Sequence, residues 1–286
     1  MPIPGRSERR RGVILRANAD NRILLASMSG GAAGTAGVAG VVNTLVDKNT
    51  VRAAVGDRVT ILSGFEEDGE TESGDSAEVA VEADDESELY NIAGGIAAGG
   101  TAGVGASAVV MVYDKTLEAS IGDGGIVRAS GDVRAHAASD DDIILLALSF
   151  AGGGSAAVGV GASVLVFQND VTAQLGGDIR SGADVIIEAL GDNSLYNIAT
   201  ALAGGGAAAV TPVAVVTYYE GATRAVVGES AAISANGDFT MNADSKEFIT
   251  SDAAGVAIGG GAGVSGTVDV IISKQQTHSS TGNGAR

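Results

Sequence analysis

The chain runs to 286 residues with 44 glycines, no cysteine, no tryptophan, five phenylalanines and five tyrosines. Seventeen Lys and Arg against 35 Asp and Glu give a formal charge of −18, which excludes nucleic acid as a partner, because phosphate binding needs clustered basic side chains. Lack of cysteine excludes disulfides, thiolate zinc sites and thiol nucleophiles.

Residues 1–12, MPIPGRSERRRG, form a basic lead. No apolar stretch with a small-residue cleavage site follows it, so no secretory signal is visible. Residues 13–282 are then a single repeat array, and 283–286 are a tail. Val13, Val79, Val133, Val185 and Phe239 serve as origins, at spacings of 66, 54, 52 and 54. Twenty-one residues on, every copy has glycine: Gly34, Gly100, Gly154, Gly206 and Gly260. Twenty-five on, every copy has valine: Val38, Val104, Val158, Val210 and Val264. Forty-three on, every copy has glycine again: Gly56, Gly122, Gly176, Gly228 and Gly282. The copies are thus 13–56, 79–122, 133–176, 185–228 and 239–282, with an acidic insertion at 66–77. Fixed spacing of this kind marks a stacked-repeat architecture.

Each copy divides into four segments. The first alternates, as in Val133, Ala135 and Ala137 against Arg134 and His136, which predicts a half-buried strand. A polar turn such as Ala138–Asp142 is expected next. A second segment, Leu89–Ala93 in copy two, is apolar on both faces, and a glycine-rich bend follows it. The third, Val104–Val112, predicts a strand covered on both sides. A short corner, Tyr113–Lys115 in copy two, leads to an alternating fourth segment that stops at its glycine. The recurring glycines imply either positive φ or a neighbouring backbone too close for a Cβ. Glycine and valine are poor helix formers, which argues against a glycine-zipper helix. The long uncharged run Ile143–Phe167 has the hydropathy of a membrane span, but it carries glycines and recurs as a repeat element.

The expected fold is therefore all-β: a parallel β-helix (β-solenoid) of five tandem repeats of about 52–54 residues, each making two coils. An antiparallel β-hairpin array bent at the central glycines is the alternative, and a transmembrane barrel the third.

The run SLYNIATALAGGGAAAVTPVAVVTYYEGATRAVVG, Ser194–Gly228, resembles the repeats of giant bacterial filamentous adhesins, the leukotoxin-like filamentous adhesins and related autotransporter or two-partner passengers. The resemblance implies a β-helical passenger, export across an outer membrane and a role in attachment. The family's signal region and outer-membrane translocator are not seen here, so the expectation is a section of a longer surface or secreted protein. Its partners would be further repeats of that protein and a surface glycan or protein ligand that the repeats do not identify. It would not itself span the membrane.

Candidate sites are few. The Glu66–Asp75 loop is acidic but lacks the spacing of a calcium loop, so a solvated charged loop is expected. Asp84-Asp85-Glu86 and Asp140-Asp141-Asp142 occupy the same place in neighbouring copies, and a stacked acidic ridge there is the one weak candidate for Ca²⁺. Three residues after each origin stand Arg16, Glu82, His136, Glu188 and Asn242, which a parallel stack would place in one column. A surface salt-bridge ladder is the expected meaning, each pair worth about 0–1 kcal/mol. Glu82, His136 and Glu188 are also the only candidates for a polysaccharide-cleaving centre, which needs carboxylates and a base converging in a cleft. No nucleophile elbow or phosphate loop is present, and no catalytic or cofactor-binding residue is assigned. The expected function is structural: a stalk or binding section of an adhesin. A β-helical polysaccharide-acting enzyme and a self-assembling fibre protein are the alternatives.

Overall fold

The computed structural model describes residues 12–65 and 76–286. Residues 1–11 of the basic lead and most of the acidic insertion, with the Glu66–Asp75 carboxylates, lie outside the described residues. Among the described residues, every regular element is a strand. Each copy contributes one long strand of 21 residues: β1 (Val13–Ala33), β4 (Val79–Gly99), β7 (Val133–Gly153), β10 (Val185–Gly205) and β13 (Phe239–Gly259). A second, of 20 residues, follows the glycine bend: β2 (Ala36–Val55), β5 (Ala102–Ile121), β8 (Ala156–Leu175), β11 (Ala208–Val227) and β14 (Ala262–Thr281). Four-residue strands lie in the connectors: β3 (Thr60–Ser63), β6 (Ile126–Ala129), β9 (Asp178–Ser181) and β12 (Ala232–Ala235).

Among the described residues, strand pairing is parallel throughout and always between copies. The three sheets run β1-β4-β7-β10-β13, β2-β5-β8-β11-β14 and β3-β6-β9-β12. Val13 pairs Val79, Val79 pairs Val133, Val133 pairs Val185, and Val185 pairs Phe239, so the repeat origins are the register. Each repeat therefore makes one rung of the stack, which corrects the expectation of two coils. The arrangement is consistent with a β-solenoid and is not a closed barrel. It also rules out the antiparallel hairpin array. The chain does bend at Gly34, Gly100, Gly154, Gly206 and Gly260, but the two arms of each bend face one another as layers and pair only with neighbouring copies.

At about 3.3 Å per residue each long strand spans about 70 Å, and five rungs at about 4.8 Å make a stack only about 20 Å deep. The slab tapers. At the end closed by the short strands, Val, Ile and Leu interleaved with Ala fill the space, including Leu117, Ile121, Val133, Leu175, Ile179 and Ile187. Midway, Leu89, Met111, Ile143, Leu165 and Phe167 separate the layers. Nearer the bend only alanine fits: Ala151, Ala157, Ala203 and Ala209. Beyond that the backbones nearly touch, and a Cβ on Gly153 would overlap the Ala156 carbonyl oxygen. The bend glycines follow the same rule along the stack. A Cβ on Gly100, Gly154, Gly206 or Gly260 would overlap the carbonyl oxygen of the bend glycine one rung before. The taper is thus written in side-chain volume, from Leu to Ala to Gly.

Two sequence expectations fail in the middle of the strands. The polar turn at Ala138–Asp142 and the corner at Tyr113–Lys115 are both uninterrupted strand. The third segment is not covered on both sides either. Val104, Val158 and their aligned valines face outward, with Val38 68% and Val264 58% exposed.

Candidate functional site

The polar residues that read as turns face each other across the two layers. Asp85 lies fifteen residues before Gly100 and Lys115 fifteen after it, which brings both to the same depth of the taper. Their side chains, with that of Asp141 on the next rung, are wholly excluded from solvent. The Lys115 ammonium contacts Asp85 Oδ2 and lies 2.8 Å from Asp141 Oδ1. Asn49 Nδ2 donates to Asp85 Oδ1 at 2.7 Å and the Ser87 hydroxyl donates to Asp85 Oδ2 at 2.8 Å. Ser139 donates to Asp141 Oδ2 at 2.8 Å.

This cluster belongs to a belt that follows the stack axis. Asn169 Nδ2 donates to Asn193 Oδ1 at 3.0 Å, and Asn193 Nδ2 donates to the Tyr219 hydroxyl at 3.0 Å. The Tyr113 hydroxyl lies 2.8 Å from Ser87 Oγ. Buried charge is tolerated only when paired and hydrogen-bonded, and here each charged group has at least two polar partners. Burial pushes the Asp141 carboxyl up to about 6, and Lys115 only partly offsets it. Burial would lower the Lys115 ammonium, but Asp141 and Asp85 outweigh it and hold the group above its ordinary value.

The outward faces carry the remaining candidates. Asp84, Glu86, Asp140 and Asp142 project outward, whereas Asp85 and Asp141 project inward, so the six residues of the expected acidic ridge do not converge. A groove of about 620 Å³ crosses the rungs beside Asp84, Glu86, Asp140 and Asp192. Two of these four carboxylates already have cations: Arg22 lies 3.7 Å from Glu86, and Lys246 lies 4.0 Å from Asp192. Burial raises Asp140, helped by Asp192 and Asp142. Among the described residues, no group of three or more His, Asp or Glu side chains is arranged to hold a metal ion.

Arg16, Glu82, His136, Glu188 and Asn242 do occupy one column. Arg16 Nε donates to Glu82 at 2.7 Å, and Arg134 Nη2 to Glu188 at 3.1 Å. His136 lies 3.1 Å from Glu188 and 3.5 Å from Asp84. The three enzyme candidates are thus adjacent on an outer sheet face, and His136 is engaged on both ring nitrogens.

Sequence reasoning missed the inward belt. The signal available was the equal distance of Asp85 and Lys115 from the bend glycine. Asn91 and Asn197 point inward and donate to the Val110 and Val216 carbonyls of the facing layer, at 3.3 and 2.9 Å. The uncharged run Ile143–Phe167 is split by its bend between β7 and β8. Among the described residues, no helix is long and apolar enough to cross a membrane. No protein-family model, curated protein or solved structure matches the chain.

Proposed function

We propose that the chain is a β-solenoid section of a bacterial surface or secreted adhesin, with a structural and contact-making role and no catalysis. The surface setting rests on the resemblance of the repeats alone. The observation that carries the mechanical part of the reading is the unbroken register of five rungs, whose outward side chains differ from rung to rung except at aligned positions such as the valines.

The glycine-bend half supplies the contact surface. From Ile23 to Val46, Leu89 to Val112, Ile143 to Val166 and Leu195 to Tyr219 no residue is charged. Outward positions there include Ile96, Phe150 and Leu202, aligned on successive rungs and each more than a third exposed. A contiguous apolar face of this kind marks an interaction surface.

The test is retention of the purified chain on alkyl-coated and on hydroxyl-coated sensor surfaces under flow. Retention on the alkyl surface is expected to fall at least tenfold in a Phe150→Lys/Leu202→Lys variant. Equal retention by variant and wild type would reject the contact role. Measurable polysaccharide cleavage lost in His136→Ala would favour the enzyme instead. A second reading, edge-on self-assembly, is favoured by the unpaired strand edges of β1, β2, β13 and β14 among the described residues. Concentration-dependent fibres without any ligand would support it.

A further inference from the structure

We propose that Lys115 and Asp85 are the two halves of an intramolecular amide cross-link that forms autocatalytically inside the folded stack, with Asp141 moving the protons. This inference stands apart from the adhesive reading and survives its failure.

Three observations carry it. First, nucleophile and acyl group are held in contact: Lys115 Nζ touches Asp85 Oδ2, and each comes from a strand fixed by a parallel neighbour on both sides. Such positioning replaces a bimolecular encounter with an intramolecular step. Second, the remaining partners suit the chemistry. Asn49 Nδ2, 2.7 Å from Asp85 Oδ1, faces the oxygen that gains negative charge in a tetrahedral intermediate. Ser87 Oγ, 2.8 Å from Asp85 Oδ2, faces the oxygen that leaves. Asp141 Oδ1 lies 2.8 Å from Nζ, within reach for proton transfer. Third, the site is shielded from bulk solvent, with all three side chains fully buried. Amide formation there removes two buried charges and their desolvation cost, and expels the water that would reverse it.

The step balances without a co-reactant. One Nζ proton passes through Asp141 to Asp85 Oδ2, leaving a neutral amine and a carboxylic acid. The amine lone pair attacks Asp85 Cγ, and the carbonyl electrons move to Oδ1 opposite Asn49. A second Nζ proton passes through Asp141 to the Oδ2 hydroxyl. The Cγ–Oδ2 bond breaks, water leaves and the carbonyl re-forms. Nitrogen keeps one hydrogen, and Asp141 ends as the carboxylate it began. The linkage would clamp the two layers of one rung together across the glycine bend, a covalent tie in a chain that has no cysteine.

The test is mass spectrometry of the full chain after denaturation and trypsin digestion. Between Arg58 and Arg128 the only tryptic site is Lys115. A cross-linked chain is expected to be lighter by one water and to yield the 59–128 peptide uncut at Lys115 and lacking that water. Further digestion at acidic residues should give a branched pair joining Lys115 to Asp85. A full-mass chain that trypsin cuts after Lys115 overturns the proposal. So does a water loss with normal cutting there, which would mark a succinimide at a site such as Asp123-Gly124. A 59–128 peptide joined to 135–180 would place the bond on Asp141 and overturn the assigned roles. Lys115→Met and Asp141→Asn are each expected to restore the full mass. A folded Asp141→Asn chain that still loses water would remove Asp141 from the reaction. If either variant fails to fold, the wild-type digest alone decides.

Discussion

Tyr113 and Phe167 stack on adjacent rungs with ring centroids 5.2 Å apart and planes 8° from parallel. Tyr219 continues the column, 5.5 Å from Phe167 and tilted by 43°. Both tyrosine hydroxyls reach the polar belt, while Phe167 has none and contributes only its ring. The column is the seam between belt and apolar core, and a rung that loses its ring leaves a cavity next to buried charge. Phe167→Ala is expected to destabilise by about 3–5 kcal/mol, at the upper end for core truncations. Tyr196→Ala, whose ring meets Phe248 on the outer face, should cost under about 1 kcal/mol. Urea denaturation checks both, and similar losses would show that the seam is no more constrained than the surface.

The adjacent residues Gly204 and Gly205 separate crowding from propensity. An added Cβ at Gly204 meets nothing within 4 Å, whereas at Gly205 it would overlap the Ala208 carbonyl oxygen of the facing layer. Gly204→Ala should be neutral or stabilising by up to about 1 kcal/mol, through reduced freedom of the unfolded chain. Gly205→Ala should cost about 2 kcal/mol or more, because the layers must part to admit a methyl group. Equal effects at the two sites would contradict the taper.

The stack direction and rung register were legible in the sequence because they depend on spacing. Strands begin at the chosen origins and end one residue before the aligned glycines, as with Val133, Gly153 and Gly154. The interior of each long strand was not legible. Asp140–Asp142 and Tyr113–Lys115 have the composition of solvated turns, and local composition cannot tell a turn from a strand whose inward polar residues meet partners across a layer. Only the pairing of Asp85 with Lys115 at equal distance from Gly100 distinguishes them. The outward valines misled for a related reason. Burial was inferred from apolarity, yet Val38 and Val42 are exposed.

The Asp141 carboxyl, pushed up to about 6 by burial with Lys115 opposing, gives a pH dependence with a definite sign. Its folded value lies above the ordinary 3.8, so the folded chain holds this proton more firmly than the unfolded chain. The stability it contributes is full below about pH 4 and is lost as pH rises through about 6. About two units correspond to at most about 3 kcal/mol. The loss is expected in wild type between pH 4 and 7 and should be much reduced in Asp141→Asn, measured as urea midpoints. Parallel curves for the two proteins would show that other groups set the dependence.

Pro212 interrupts an otherwise continuous ladder. β11 pairs β14 without a gap, but its pairing with β8 lapses at Thr211 and Pro212, opposite Gly159 and Val160. Proline has no N–H, so the missing donor faces β8, in a strand paired on both sides where proline is ordinarily absent. The Pro212 side chain points outward, so a replacement meets no core. Pro212→Val restores the donor, gaining about 1 kcal/mol for the hydrogen bond, and adds a β-branched side chain suited to a sheet face. Against this stands the greater freedom of the unfolded chain, about 0.4–1 kcal/mol. The balance should be a gain of up to about 1 kcal/mol, with slower amide exchange at Thr211 and Val213 in the variant than in wild type. A variant less stable than wild type would mean that the gap relieves strain between β8 and β11 and is not a defect in the ladder.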